Sequence, residues 1–196
     1  MKLKAAIIAV ALAALSMGAL WASTLSVKGV DASASEISYT SSSVVLNGSA
    51  HVLSQDKVTK KSFDAIAKKM IVNFYSGNGK AKVSGLASVK SAVMDGPVKI
   101  VYTEVDASGN TVKTTATADS ATYDGGDQMV HLVGNVKIIN ENPAEFEEPA
   151  VMMGDTATVN LKPNLGPDDL RFKVESTSGV SSIQLTPKPH PKKGTK

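Results

Sequence analysis

The side chains able to do chemistry in this 196-residue chain are few and poorly grouped. Its histidines are His51, His131 and His190. A zinc site needs further ligands at close range, and none accompanies them in the sequence. His51 follows the glycine Gly48 by three residues and His131 precedes Gly134 by three. Both carry the parity opposite to the apolar residues around them, so both are expected to point outward from a strand. Asp119, Asp124, Asp127 and Asp155 lack the spacing of a calcium loop and are expected at turns and strand ends. No serine sits in a nucleophile-elbow context. Gly77-Asn78-Gly79 and Gly125-Gly126 have the character of turns rather than of phosphate loops. There is no cysteine, which excludes a disulfide scaffold, a Cys-ligated zinc, an iron–sulfur cluster, a thiol nucleophile and a lipoprotein anchor. The expectation is a non-enzyme with no metal and no cofactor.

With catalysis set aside, the elements carry the argument. Apolar residues make up 42% of the chain and aromatics only 5%, so a core must be built from Val, Ala, Leu, Ile and Met. The formal charge of +3 is unevenly placed. Lys2 and Lys4 sit in a leader, and Lys188, Lys192, Lys193 and Lys196 in an acid-free tail, which leaves a net acidic body. No basic patch spans a domain, and no nucleic-acid partner is expected. Residues 1–22 have a charged start, an apolar run from Ala5 to Leu15 and small residues near Ala22. That is the form of a secretory signal cut after Ala22. If uncut, Ala5–Trp21 reaches only the lower limit of a membrane span. In both cases the body lies outside the cytoplasm, and a periplasmic location is expected.

The body alternates apolar and polar residues. Val44, Leu46, Gly48, Ala50 and Val52 share one parity. So do Val83, Gly85, Ala87 and Val89; Gly96, Val98, Ile100 and Tyr102; and Val130, Leu132, Gly134, Val136 and Ile138. Turn signals at 76–79, 95–97, 108–110, 124–127 and 162–164 separate such runs, which predicts an all-β domain over 23–186. Phe63, Ile66, Ala67, Met70 and Ile71 have helical spacing instead. An internal repeat argues for strand there. Gly48–Val52, Gly85–Val89, Gly96–Ile100 and Gly134–Ile138 share the form Gly, any residue, Ala or Val, any residue, Val or Ile. The first and last also share flanks, Ala34–Tyr39 and Ala118–Tyr123, so two halves follow one plan. A mid-strand glycine needs a reason: a bulge or bend in a curved sheet, or room for something bulky on a concave face.

The run Ala118-Asp119-Ser120-Ala121-Thr122-Tyr123-Asp124, then Val130–Ile138 with its Gly134-Asn135-Val136, then Gly154-Asp155-Thr156-Ala157-Thr158-Val159-Asn160-Leu161, resembles the OstA-like repeat of the LptA family of lipopolysaccharide-transport proteins. The strong part covers 118–161 and a weaker copy covers about 34–74. The resemblance implies an OstA-like β-jellyroll, an open V-shaped trough of two antiparallel sheets that holds acyl chains on its apolar face. It implies lipopolysaccharide or a similar glycolipid as ligand, with no catalytic residue and no cofactor. It also implies partners joined edge to edge: other OstA-like components by edge-strand pairing, or further copies head to tail.

The lining expected for the trough is Leu46, Ala50, Val52, Val83, Val98, Ile100, Leu132, Val136 and Ile138. On the residues alone, these also fit a closed core. The expected edges lie near Glu36–Val45, Leu170–Val174 and Val180–Leu185. Glu141, Glu145, Glu147 and Glu148 stand where Lys57, Lys60 and Lys61 stand in the first half; such charges steer contacts or merely solvate loops. The tail 187–196 is expected to be disordered. Two other readings stay open: a non-transporting envelope module held by edge pairing, and a component anchored through residues 1–22 like the inner-membrane relative LptC.

Overall fold

Alternation at period two becomes strand wherever one face is apolar, and among the described residues it produces eleven strands. The computed structural model describes residues 23–27, 29–75, 85–106, 108–162, 165, 169–177 and 179–189. Five short strands flank six long ones. The strands are β1 (Ser23–Val27), β2 (Val30–Ala34), β3 (Glu36–Tyr39), β4 (Ser43–Asp56), β5 (Lys61–Phe74), β6 (Val89–Val105), β7 (Thr111–Asp124), β8 (Met129–Glu141), β9 (Phe146–Asn160), β10 (Phe172–Glu175) and β11 (Ser182–Pro187). All pairings are antiparallel, and β4 to β9 lie side by side in chain order. The sheet does not close: β1 and β3 lie toward one end, β10 and β11 at the other.

Each long strand is folded at its middle. The ladder slips between Asn47 and Ala50 of β4, between Asp95 and Val98 of β6, and between Val133 and Val136 of β8. Each slip sets two residues against one: Gly48-Ser49 against Lys68, Gly96-Pro97 against Asp119, Gly134-Asn135 against Asp155. These bulges stand in line across the sheet and crease it into two limbs. The first limb comprises 43–47, 69–74, 89–95, 120–124, 129–133 and 156–160, extended by β3 and β10. The second comprises 50–56, 61–67, 98–105, 111–118, 136–141 and 146–154, extended by β2 on one side and β11 on the other.

The crease explains the repeated glycines. Gly48, Gly96 and Gly134 have φ of 73°, 86° and 79°, where a side chain is strained. A Cβ on Gly134 would stand 2.9 Å from Asp119 Cβ, and one on Gly96 would stand 2.5 Å from Lys68 Cβ. Lys68 and Asp119 are exposed, so these glycines make room for a neighbouring strand on the outer face. The bend is therefore the reason for them.

Inner-face residues of both limbs form one buried cluster. Across the crease the bulged strands take a four-residue step, from Leu46 to Ala50, Met94 to Val98 and Leu132 to Val136. The unbulged β5 and β7 take three, from Ala67 to Met70 and Ala118 to Ala121. Phe63, Ala67 and Met70 thus mimic a helical stripe while lying in a strand, and Ile66, which a helix would bury with them, is 46% exposed.

Four expectations need correction. Gly85–Ser88 is a 3₁₀ turn leading into β6, not strand. Asp95-Gly96-Pro97 is a bulge inside β6, not a turn between strands. Glu36–Val45 is not one edge strand but β3 and the start of β4, joined by a tight turn in which Thr40 N donates to Ser43 O (2.8 Å). Residues 23–34, assigned no strand from the sequence, form β1 and β2. Residues 1–22, Val83 and 190–196 lie outside the described residues.

Candidate functional site

The inner face of the creased sheet gathers the expected lining. Leu46, Ala50, Val52, Val98, Ile100, Leu132, Val136 and Ile138 all belong to the buried cluster, at 0–6% exposure. Of this set only Val83 lies outside the described residues. Burying each Val, Leu or Ile here contributes about 1.5–3 kcal/mol, which holds the limbs together. Where β4, β5 and β6 meet, the limbs interdigitate around Phe63, Met70, Phe74, Met94 and Tyr123. The gaps left between them measure about 20 Å³ and 10 Å³, room for no more than about one water each.

Toward β9 the packing loosens. A cavity of about 380 Å³ lies between Val159, Leu161 and Phe172 of the first-limb side and Val112, Ala150 and Met152 of the second, with Ile183 and Leu185 of β11 on its flank. The register explains the space. Lys69 opposes Asn47 before one bulge as Thr156 opposes Val133 before the other, so β9 repeats the place of β5. In that alignment Phe63 becomes Ala150, Met70 becomes Ala157 and Phe74 becomes Leu161, while only Ala65 gains bulk as Met152. Loss of side-chain volume at three of these four places leaves the interior unfilled.

The cavity lining is mixed: apolar side chains from both limbs stand beside the buried polar residues Thr114, Asn140 and Asn142, with charged residues at the rim. Asn140 Nδ2 donates to Thr114 Oγ1 (2.9 Å), and both residues are buried. Tyr102 Oη donates to Glu104 Oε2 (3.1 Å), and Lys61 Nζ lies 3.3 Å from the same oxygen. Burial, then the nearby Glu104 charge, raises the Tyr102 phenol well above its ordinary range. Lys162 and Arg171 stand exposed at the first-limb lip, and Glu145 and Asp106 also lie on the rim. Sequence reasoning names Lys61, Tyr102 and Glu145 but does not group them or the others as a cavity. The signal that finds them is the replacement of Phe63 by Ala150 between the two copies.

The outer face holds the other residues considered. His51 Nε2 lies 2.9 Å from Asp64 Oδ1, and His131 Nδ1 lies 3.2 Å from Thr158 Oγ1. Asp124 accepts from the N–H groups of Gly126 and Asp127, as a turn residue does. Asp119 and Asp155, expected at turns or strand ends, lie instead within β7 and β9 beside the crease, where Asp119 accepts from Asn135 Nδ2 (2.8 Å) and Asp155 from Thr177 N (2.8 Å). No group of three or more His, Cys, Asp or Glu among the described residues is placed to hold a metal ion. No helix among the described residues is long and apolar enough to cross a membrane.

An unclosed antiparallel sheet, creased along a bulge line into two apolar-faced limbs with strands to spare at both ends, defines a jellyroll of the OstA-like class. The family model of lipopolysaccharide-assembly, LptC-related proteins matches residues 6–165, and the chain belongs to that family, as a component of lipopolysaccharide transport. Among solved structures it is similar to the crystal structure of LptH, the LptA-homologous periplasmic component of the lipopolysaccharide transport device of Pseudomonas aeruginosa. That match covers 82% of this chain and 95% of the other, at 14% identity and a TM-score of 0.52, and it shows the fold. No curated protein matches the chain.

Proposed function

We propose that the chain is a non-catalytic carrier on the periplasmic side of the inner membrane. Its ligand is lipopolysaccharide or a similar glycolipid, whose acyl chains it holds on its inner face and passes to neighbouring jellyrolls. The observation that carries this is a continuous apolar face across six bent strands of an unclosed sheet, with unfilled space at one end. Acyl chains gain about 0.8 kcal/mol per buried CH₂ on such a surface without any specific polar contact. The lining is Leu46, Ala50, Val52, Val98, Ile100, Leu132, Val136 and Ile138, together with Val83. Partners, other jellyrolls of the system or a second copy head to tail, pair on the outer strands β1 and β3 or β10 and β11. Lys57 and Lys60 in the β4–β5 hairpin and Glu141 and Glu145 at the β8–β9 hairpin bias that pairing by charge. Residues 1–22 direct export and are removed after Ala22, residues 23–186 form the domain, and the tail expected from 187 starts later, since Pro187 ends β11 and Lys188 N donates to Glu145 O.

The test is native mass spectrometry of residues 23–196 purified from the envelope of a lipopolysaccharide-producing host. A bound mass equal to lipid A or lipopolysaccharide is the expected result. A clean apo mass that persists in excess lipid overturns the carrier reading. It favours the non-transporting edge-pairing module instead, for which the near-complete burial of the eight lining residues already speaks.

A further inference from the structure

We propose that β11 is a hinged cover, and that a single alkyl chain with an anionic head enters the inner face sideways, at the seam between β9 and β11. This rests on the carrier reading above. Burial at 0–6% along the described lining means that an acyl chain needs an opening, and the long strands do not offer one. The β4–β9 ladders run through ten or more residue pairs each, and parting any of them exposes many backbone groups at once.

The β11 strand is the opposite case. Its six residues are all exposed, and among the described residues it pairs with β9 alone. Its register slips between Gln184 and Thr186 and again between Thr186 and Pro187, and proline brings no N–H to the ladder. Few buried contacts and a broken ladder place it at the low end of local stability. Ile183 is 63% exposed and Leu185 40%, yet both line the 380 Å³ cavity. β11 is thus a single strand bordering the unfilled space, and its own apolar side chains are open to water there. Its far end is latched: Lys188 N donates to Glu145 O (2.9 Å), and Lys188 Nζ donates to Pro143 O.

The size and charge of the cavity fix the ligand class. Its volume lies near the lower end of small-ligand sites, which suits one chain rather than a bundle. Lys162 and Arg171 on the first-limb lip meet the anionic head. Of the rim carboxylates, Glu104 is held by Lys61 and Tyr102. Asp106 is taken up by its own turn, accepting from Ser108 N, Asn110 N and Asn110 Nδ2. Glu145 sits beside the Lys188 latch.

A cross-link tests the cover directly. The chain has no cysteine, so Val151→Cys with Gln184→Cys, a directly opposed β9–β11 pair, creates its sole disulfide. Dansyl-labelled undecanoic acid is the probe, followed by stopped-flow fluorescence, with purified lipopolysaccharide as the second ligand. Oxidation is expected to slow probe uptake about 10-fold or more, with full recovery on reduction and an unchanged circular-dichroism spectrum. Lys188→Ala, which loosens the latch without touching the lining, is expected to speed uptake several-fold. Equal rates in oxidised and reduced protein overturn side access and leave the carrier reading standing. An unmodified protein that takes up neither probe nor lipopolysaccharide overturns the carrier reading, and the cover with it.

Discussion

The two hairpins β4–β5 and β8–β9 follow one plan and have different interiors. Both carry a glycine bulge with positive φ at the same place in the ladder, and both present the same face inward. The first is filled by Phe63, Met70 and Phe74 and covered by β2, whose Val30 and Ala34 are buried. The second has Ala150, Ala157 and Leu161 at those places and is covered along its second limb by the wholly exposed β11. One copy has become the closed end of the jellyroll and the other its unfilled end. Repetition supplies the crease; loss of side-chain volume in one copy supplies the cavity.

The largest effect is expected where both copies are equally closed. Ile138 is 0% exposed, so Ile138→Glu puts an unpaired carboxylate into the cluster and costs about 4 kcal/mol or more. Chemical denaturation against Ile66→Glu, an outward position of β5, checks this; the control is expected within about 0.5 kcal/mol of the parent. A mild Ile138→Glu effect would mean that the limbs stand open at their centre and that the contrast between the hairpins is false. The same burial makes Ile138→Glu a poor probe of lipid binding, since lost folding would pass for lost affinity.

The next pair exchanges the two interiors. Phe63→Ala empties the closed end and is expected to cost about 3–5 kcal/mol by thermal or urea melting. Ala150→Phe, its counterpart, grows into existing space and is expected to change stability by less than about 1.5 kcal/mol. The contrast sharpens further if Ala150→Phe also excludes the dansyl-labelled probe. Comparable losses from both substitutions would show that the β9 end is as tightly packed as the β5 end.

These pairs also mark what the sequence can and cannot tell. β4, β6 and β8 keep one parity across the crease because a bulged strand steps by four, so their inner faces are legible in the alternation. β5 steps by three, which imitates a helix; only the repeat identifies it as strand. The strand β2 is legible only through its pairing with β4, since Val30–Ala34 is too short to alternate convincingly. Parity says which side Leu46 or Ile138 faces, but not how closely the opposite limb approaches it. The cavity depends on a register between copies that places Ala150 opposite the role of Phe63, and on a cover strand with no buried residue. The register leaves no local pattern; the strand is legible as an edge near Val180–Leu185, but not the space it flanks.

The crease itself is shared by both copies, and a smaller effect tests it. Gly134→Ala combines positive φ with a Cβ closer than 3 Å to Asp119, and is expected to cost about 1–3 kcal/mol. Gly109→Ala has a similar φ of 85° but open space around it, and is expected to cost about 1 kcal/mol. The difference between the two melts isolates the contact across the bulge. Equal costs would mean that the crease requires the backbone angle alone.

The last test is silent at neutral pH and asks how dry the closed end is. Burial, then the nearby Tyr75 and Asp124, pushes the Tyr123 phenol up to about 12 from its ordinary 10. A raised folded-state value means that the native protein keeps a proton the unfolded chain releases. The associated stability is fully present below pH 10 and is lost as pH rises toward 12, by about 1.4 kcal/mol per unit. Tyr123→Phe is expected to flatten that part of the alkaline melting profile. Tyr102, at the cavity rim, is raised as well and adds its own loss over the same range, so the Tyr123 share is the difference between the parent and Tyr123→Phe profiles. If tyrosinate absorbance shows Tyr123 ionising near 10 in the folded protein, water reaches the interior beside Phe63, and the closed end is not closed.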